Sequence, residues 1–115
     1  MKHVIDADAL MTFLQRGKGF EKIKKLFMES VSKGQEIYMS SVDAGEVYAS
    51  ALEEYGPMKA NEVLSAIEAL PIKVTDVDFK VTKKAAQLKS KGSPQRMVFA
   101  LALSQVKKAT LFDIH

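Results

Sequence analysis

The sequence predicts an α/β fold with a central parallel sheet flanked by helices. Two observations carry that reading. Short β-branched or apolar runs recur along the chain, and segments with helical apolar spacing separate each run from the next, in the order β-α-α-β-α-α-β-α-α-β. Strands joined through helices return to the same starting edge and so pair in parallel, with helices on both faces.

The first run, His3-Val4-Ile5, reads as a strand ending at Asp6. Ala9, Leu10, Phe13 and Leu14 then recur at helical spacing until Gly17 and Gly19 break the pattern. A second helix places Phe20, Ile23, Phe27 and Val31 on one face, lysines opposite, and closes at Gly34. Ile37-Tyr38-Met39 reads as a strand, and Ser40-Ser41 leads into a helix from about Val42 to Tyr55. Gly56 stops it, and Pro57 suits the first turn of the next helix, whose stripe is Ala60, Val63, Leu64 and Ile67. Ile72 to Thr75 reads as a strand and Asp78 as the cap of a helix from Phe79 to about Lys89. After Gly92, Ser93-Pro94 has the form of a cap followed by proline at the first helical position. The helix that follows is apolar all round from Met97 to Leu103, which predicts burial, and Ala109 to Phe112 reads as a last strand ending at Asp113.

At 115 residues the chain fits one domain, and 47% hydrophobic with 27% charged residues is enough for a core. With no cysteine and two histidines, a metal would rest mainly on oxygen ligands. Asp6 and Asp8 interrupt the apolar stretch at the amino end, against a signal peptide. The uncharged run Met97–Val106 is about half the roughly 20 residues of a membrane span. These features point to the cytoplasm and away from a membrane. Charge is uneven: residues 1–76 hold 9 Lys+Arg against 12 Asp+Glu, and residues 77–115 hold 8 against 2. An acidic half beside a basic half suits a metal pocket flanked by a phosphate-binding surface, and it equally suits a helix face of solvated lysines.

Ligands of open parallel sheets bind at the carboxyl ends of the strands. Asp6 and Asp113 end the first and last strands, and Glu46 lies near the start of the helix after the second. Crowded carboxylates either protonate or share a divalent cation, for which Mg²⁺ or Mn²⁺ suits an all-oxygen site. Such an ion can activate water against a phosphodiester. Structural roles stand beside these. Asp8 reads as a cap of the first helix, and Asp43 with Glu46 has the spacing of a capping box.

The stretches Val4-Ile5-Asp6-Ala7-Asp8-Ala9-Leu10, Met39 through Tyr48, Ala69 through Lys89, and Phe99 through Leu111 together resemble a PIN domain. This is a nuclease fold used by toxins of prokaryotic toxin–antitoxin pairs, and the resemblance spans nearly the whole chain in the family's order. It implies a PIN-like three-layer fold over residues 1–115, Mg²⁺ or Mn²⁺ as cofactor, RNA as substrate, an antitoxin-like protein as partner and a homodimer as the common assembly. Asp6 and Glu46 would correspond to two metal-binding acids, Ser41 to a small polar position near the site, and Asp113 to the fourth acid, with His115 if the count slips by two. Lys80, Lys83 and Lys84 would be among the lysines that contact RNA phosphates. The family has a further helix and often a short strand beyond the position of Asp113.

The family's third acid, at the start of the helix containing Phe99, has no counterpart. Met97 falls at that position, Arg96 after a one-residue slip, and no acid occurs between Asp78 and Asp113. Two accounts follow. In one, Asp8 supplies the replacement carboxylate and the chain is a metal-dependent endoribonuclease. In the other, Arg96 is a built-in cation that neutralises the acids without activating water, and the chain is a non-catalytic domain that binds RNA or a protein. The strand before Asp6-Ala7-Asp8 is also similar to the start of haloacid-dehalogenase-like phosphatases, whose later motifs find no clear set here.

Overall fold

A computed structural model describes residues 1–113. The elements run β1 (Lys2–Val4), α1 (Ala7–Leu14), α2 (Phe20–Lys33), β2 (Glu36–Ser40), α3 (Ser41–Tyr55), α4 (Pro57–Ala69), β3 (Lys73–Thr75), α5 (Phe79–Ser90), a 3-10 turn (Gln95–Met97), α6 (Val98–Lys107) and β4 (Thr110–Leu111). All neighbouring strands are parallel, in the order β3-β2-β1-β4. β1 therefore lies inside the sheet, flanked by β2 and β4.

Alternation along the strands divides the core into two layers. Ile5, Ile37 and Met39 pack with Leu10, Ile23, Phe27, Val47 and Ile67, so α1 to α4 cover one face. Val4 and Tyr38 pack with Val81, Ala85, Val98 and Leu103, so α5 and α6 cover the other. This is the expected three-layer α/β arrangement. The all-apolar α6 is largely buried: Val98, Ala100, Ala102 and Leu103 are at most 2% exposed.

Local chemistry sets the boundaries. Gly34 ends α2 at φ 67°, a left-handed conformation that a Cβ would strain, and Pro57 opens α4. Asp78 caps α5 by accepting the Val81 N–H at 3.0 Å. Two expectations shift. Regular β1 stops at Val4, although the Ile5 N–H still reaches the Tyr38 carbonyl at 3.0 Å. α6 does not start at Ser93-Pro94: Pro94 stays extended with ψ 137°, and a 3-10 turn intervenes before Val98. That turn carries Arg96 and Met97.

Candidate active site at the carboxyl edge

Two residues past β1, Asp6 turns the chain into α1. Its carboxylate accepts the Ala9 N–H at 2.8 Å and is the N-cap of the helix. The sequence expectation that Asp8 caps this helix is thus corrected, because the strand ends earlier and moves the cap to Asp6. Asp8 sits in the first helical turn instead, where it pairs with Arg96, Nη1 to Oδ2 3.5 Å.

At the end of β2 a similar displacement occurs. Ser40, not Asp43, caps α3: its Oγ accepts the Asp43 N–H at 2.9 Å and its hydroxyl donates to Asp43 Oδ2 at 2.6 Å. Asp43 is 2% exposed, and its other oxygen accepts the Ala7 N–H at 3.2 Å. Burial pushes its carboxyl up to about 6, with smaller contributions from Glu46 and Asp6 and opposition from the Ser40 and Ala7 hydrogen bonds. The Asp43/Glu46 capping box is therefore not formed. The hint lay in the sequence, where Ser40 and Asp43 have capping-box spacing one step earlier.

Glu46 lies one turn further along α3, at the surface. Desolvation raises its carboxyl above the usual range, with Asp8 and Asp6 adding to the shift. Asp6 is also raised, first by burial and then by Asp8, while the Ala9 N–H and the Arg96 guanidinium pull it down. Acids at the start of α1 thus act on the Glu46 carboxylate of α3 across the carboxyl edge.

A cleft of about 430 Å³ opens beside them, lined by Asp6, Asp8, Arg96, Met97, Phe112 and Asp113, among others. The structure thereby brings five of the sequence-predicted site residues to one cleft. Glu46 does not line it, but stands close enough to feel the charges of Asp8 and Asp6. Ser41 is turned away: its Oγ accepts the Val77 N–H at 3.3 Å and so braces the segment before α5. Lys80, Lys83 and Lys84 line a different groove, shared with Gln105 and Lys108. His115 lies outside the described residues.

Among the described residues, no three His, Asp or Glu groups stand together as a ready-made ion cage. The donor set fits a looser mode of binding. Magnesium is commonly held by one or two carboxylates, completed by waters and a substrate phosphate. Asp6 and Glu46, both destabilised as anions by burial and by neighbouring carboxylates, suit that mode, whereas Asp8 is engaged by Arg96.

No family model matches the chain, and no curated protein does. Solved structures do match. The DNA-bound VapBC from Salmonella typhimurium aligns over 100% of this chain and 99% of its own, with TM-score 0.75 at 12% identity. VapBC2 from Rickettsia felis, bound to a DNA fragment from its promoter, aligns over 96% and 86%, with TM-score 0.73 at 14% identity. VapC20 from Mycobacterium tuberculosis, a Sarcin-Ricin loop cleaving toxin, aligns over 96% and 89%, with TM-score 0.71 at 14% identity. The chain has the PIN-like fold of these proteins.

Proposed function

We propose that this PIN-like chain is a single-domain, Mg²⁺- or Mn²⁺-dependent endoribonuclease, acting as the toxin of a toxin–antitoxin pair with an antitoxin-like protein, and a homodimer, as its assemblies. The observation that carries this reading is the convergence of Asp6 and Glu46, from different helices, on the carboxyl edge of a sheet whose fold neighbours include an RNA-cleaving toxin. Asp6 and Glu46 would hold the ion jointly with a phosphate oxygen of the RNA. When bound, the ion supplies an acidified water and neutralises charge on the phosphodiester.

The remaining work falls to the chain itself. Asp43 ties the start of α1 to the start of α3 and so fixes Asp6 relative to Glu46. Asp113 borders the cleft from the β4 side and Asp8 from the α1 side, both as further candidate ligands or proton acceptors. Arg96 is 71% exposed, so its guanidinium can leave Asp8 for a phosphate, which it can grip with two parallel N–H donors. Met97 and Phe112 give the cleft an apolar wall.

The Arg96–Asp8 pair also favours a second reading, a non-catalytic domain that binds RNA or a protein, since an internal cation occupies part of the edge. The two readings separate in a cleavage assay on labelled single-stranded RNA with and without Mn²⁺. Metal-dependent cutting that is lost in Glu46→Gln supports the enzyme. An inert wild type at every metal concentration sinks it in favour of the binding domain.

A further inference from the structure

The lysines of α5 do not flank the acidic cleft. Lys80, Lys83, Lys84 and Gln87 of α5 face Gln105 and Lys108 at the far end of α6, across a groove of about 390 Å³. β4 follows α6 directly and runs parallel to β1, so α6 ends where the strands begin. Arg96 and Met97 precede its opposite end, beside Asp6. α6 has ten residues and is therefore about 15 Å long, and the groove and the cleft share no lining residue.

Helix stability does not account for these lysines. Lys80, Lys83 and Lys84 occupy the first two turns of α5, where the helix dipole disfavours cations, and Lys80 repels both others at i+3 and i+4. Among the described residues none of the three, nor Lys108, enters an ion pair. Lys107 differs, since it is turned onto the Tyr38 ring at 4.8 Å. Four unpaired cations with two flanking amides form a surface suited to an anionic polymer. RNA fits best: phosphates meet the lysines, and Gln87 and Gln105 can both donate to and accept from 2′-hydroxyls.

We infer that the groove between α5 and the end of α6 is a second RNA-contact surface, distal to the acidic cleft, which favours strands long enough to reach both. The inference rests on the proposed function. A stacked strand advances about 3.4 Å per phosphate and an extended strand advances more, so a span of helix-length order needs more than one phosphodiester. A dinucleotide, with its single phosphodiester, cannot bridge the two surfaces, whereas a twenty-nucleotide RNA can.

The test measures fluorescence anisotropy of a labelled RNA dinucleotide and a twenty-nucleotide single-stranded RNA with an Asp6→Asn host, which keeps the RNA intact. In that host, Lys80→Glu/Lys83→Glu/Lys84→Glu should lower the ratio of long to short affinity about ten-fold. The salt slope for the long RNA should fall by about 2, near 0.7 for each phosphate no longer neutralised. Lys24→Glu/Lys25→Glu on α2, exposed lysines on another helix, should leave the ratio as it was. The triple variant should melt no lower than its host, because acids suit the first turns of α5, which separates weaker binding from impaired folding. Equal loss on both lengths, or no loss, overturns the distal surface alone. Failure of both RNAs to bind any form of the protein overturns the proposed function with it. Polyglutamate competing as well as the long RNA would mark the groove as a site for acidic protein and overturn the RNA assignment.

Discussion

The buried carboxylate of Asp43 accepts the backbone N–H of Ala7, 3.2 Å away and thirty-six residues earlier in the chain. One side chain thereby fixes the beginning of α3 against the beginning of α1, the two helices that carry Glu46 and Asp6. Its isolation from water has a thermodynamic signature.

Asp43 should make the protein less stable as pH rises from about 4 to above 6. The carboxyl ordinarily titrates near 3.8 and is pushed up to about 6 in the fold, so the folded state binds the proton more tightly than the unfolded chain. The favourable contribution is complete below the ordinary value and gone above about 6. It amounts to about 3 kcal/mol at the 1.36 kcal/mol per unit of pKa shift, and Asp6 and Glu46 add the same sign. Asp43→Asn keeps an acceptor for Ala7 and should flatten this dependence in melting curves from pH 4 to 8. Asp43→Ala leaves the Ala7 N–H and the Ser40 hydroxyl without this partner and should cost about 1–3 kcal/mol. An unchanged pH profile in Asp43→Asn would mean that Asp43 is not the buried titrating group.

Mn²⁺ at millimolar concentration should raise the melting temperature, by binding the native state alone, and Asp6→Asn should abolish the rise. Since Asp6 and Glu46 hold protons more tightly than usual, protons compete with the ion, and the rise should shrink as pH falls. A shift of equal size in the Asp6→Asn protein would place the ion elsewhere.

Arg96→Ala should change stability by less than about 1 kcal/mol, because its partner Asp8 is 40% exposed and surface pairs contribute little. The same change releases Asp8 and should tighten Mn²⁺ several-fold in titration calorimetry. Met97→Asp introduces an acid at the cleft wall and should tighten Mn²⁺ further, about ten-fold. A loss of several kcal/mol in Arg96→Ala would instead reveal a structural cation.

The α/β class, the element order and the parallel sheet were legible because apolar periodicity and the glycine and proline stops are local signals. Asp78 as a cap was legible for the same reason. The identity of the other caps was not. A first strand that ends two residues early moves the cap from Asp8 to Asp6, and a helix that begins at Ser41, directly after β2, moves the other cap from Asp43 to Ser40. The burial of Asp43 depends on the Ala7 amide, which local pattern cannot bring to it. That the α5 lysines line a groove apart from the acids was equally hidden, because it follows from the first turns of α5 facing the end of α6 rather than Arg96.

The most direct measurement is cleavage of a twenty-nucleotide single-stranded RNA by the wild-type chain and by Asp6→Asn, each purified identically and assayed with and without Mn²⁺. The expected result is cutting by wild type with Mn²⁺ alone, reduced at least a hundred-fold, about 2.7 kcal/mol of barrier, in Asp6→Asn. Equal cutting by both proteins, or none by wild type at any metal concentration, would contradict a nuclease built on Asp6.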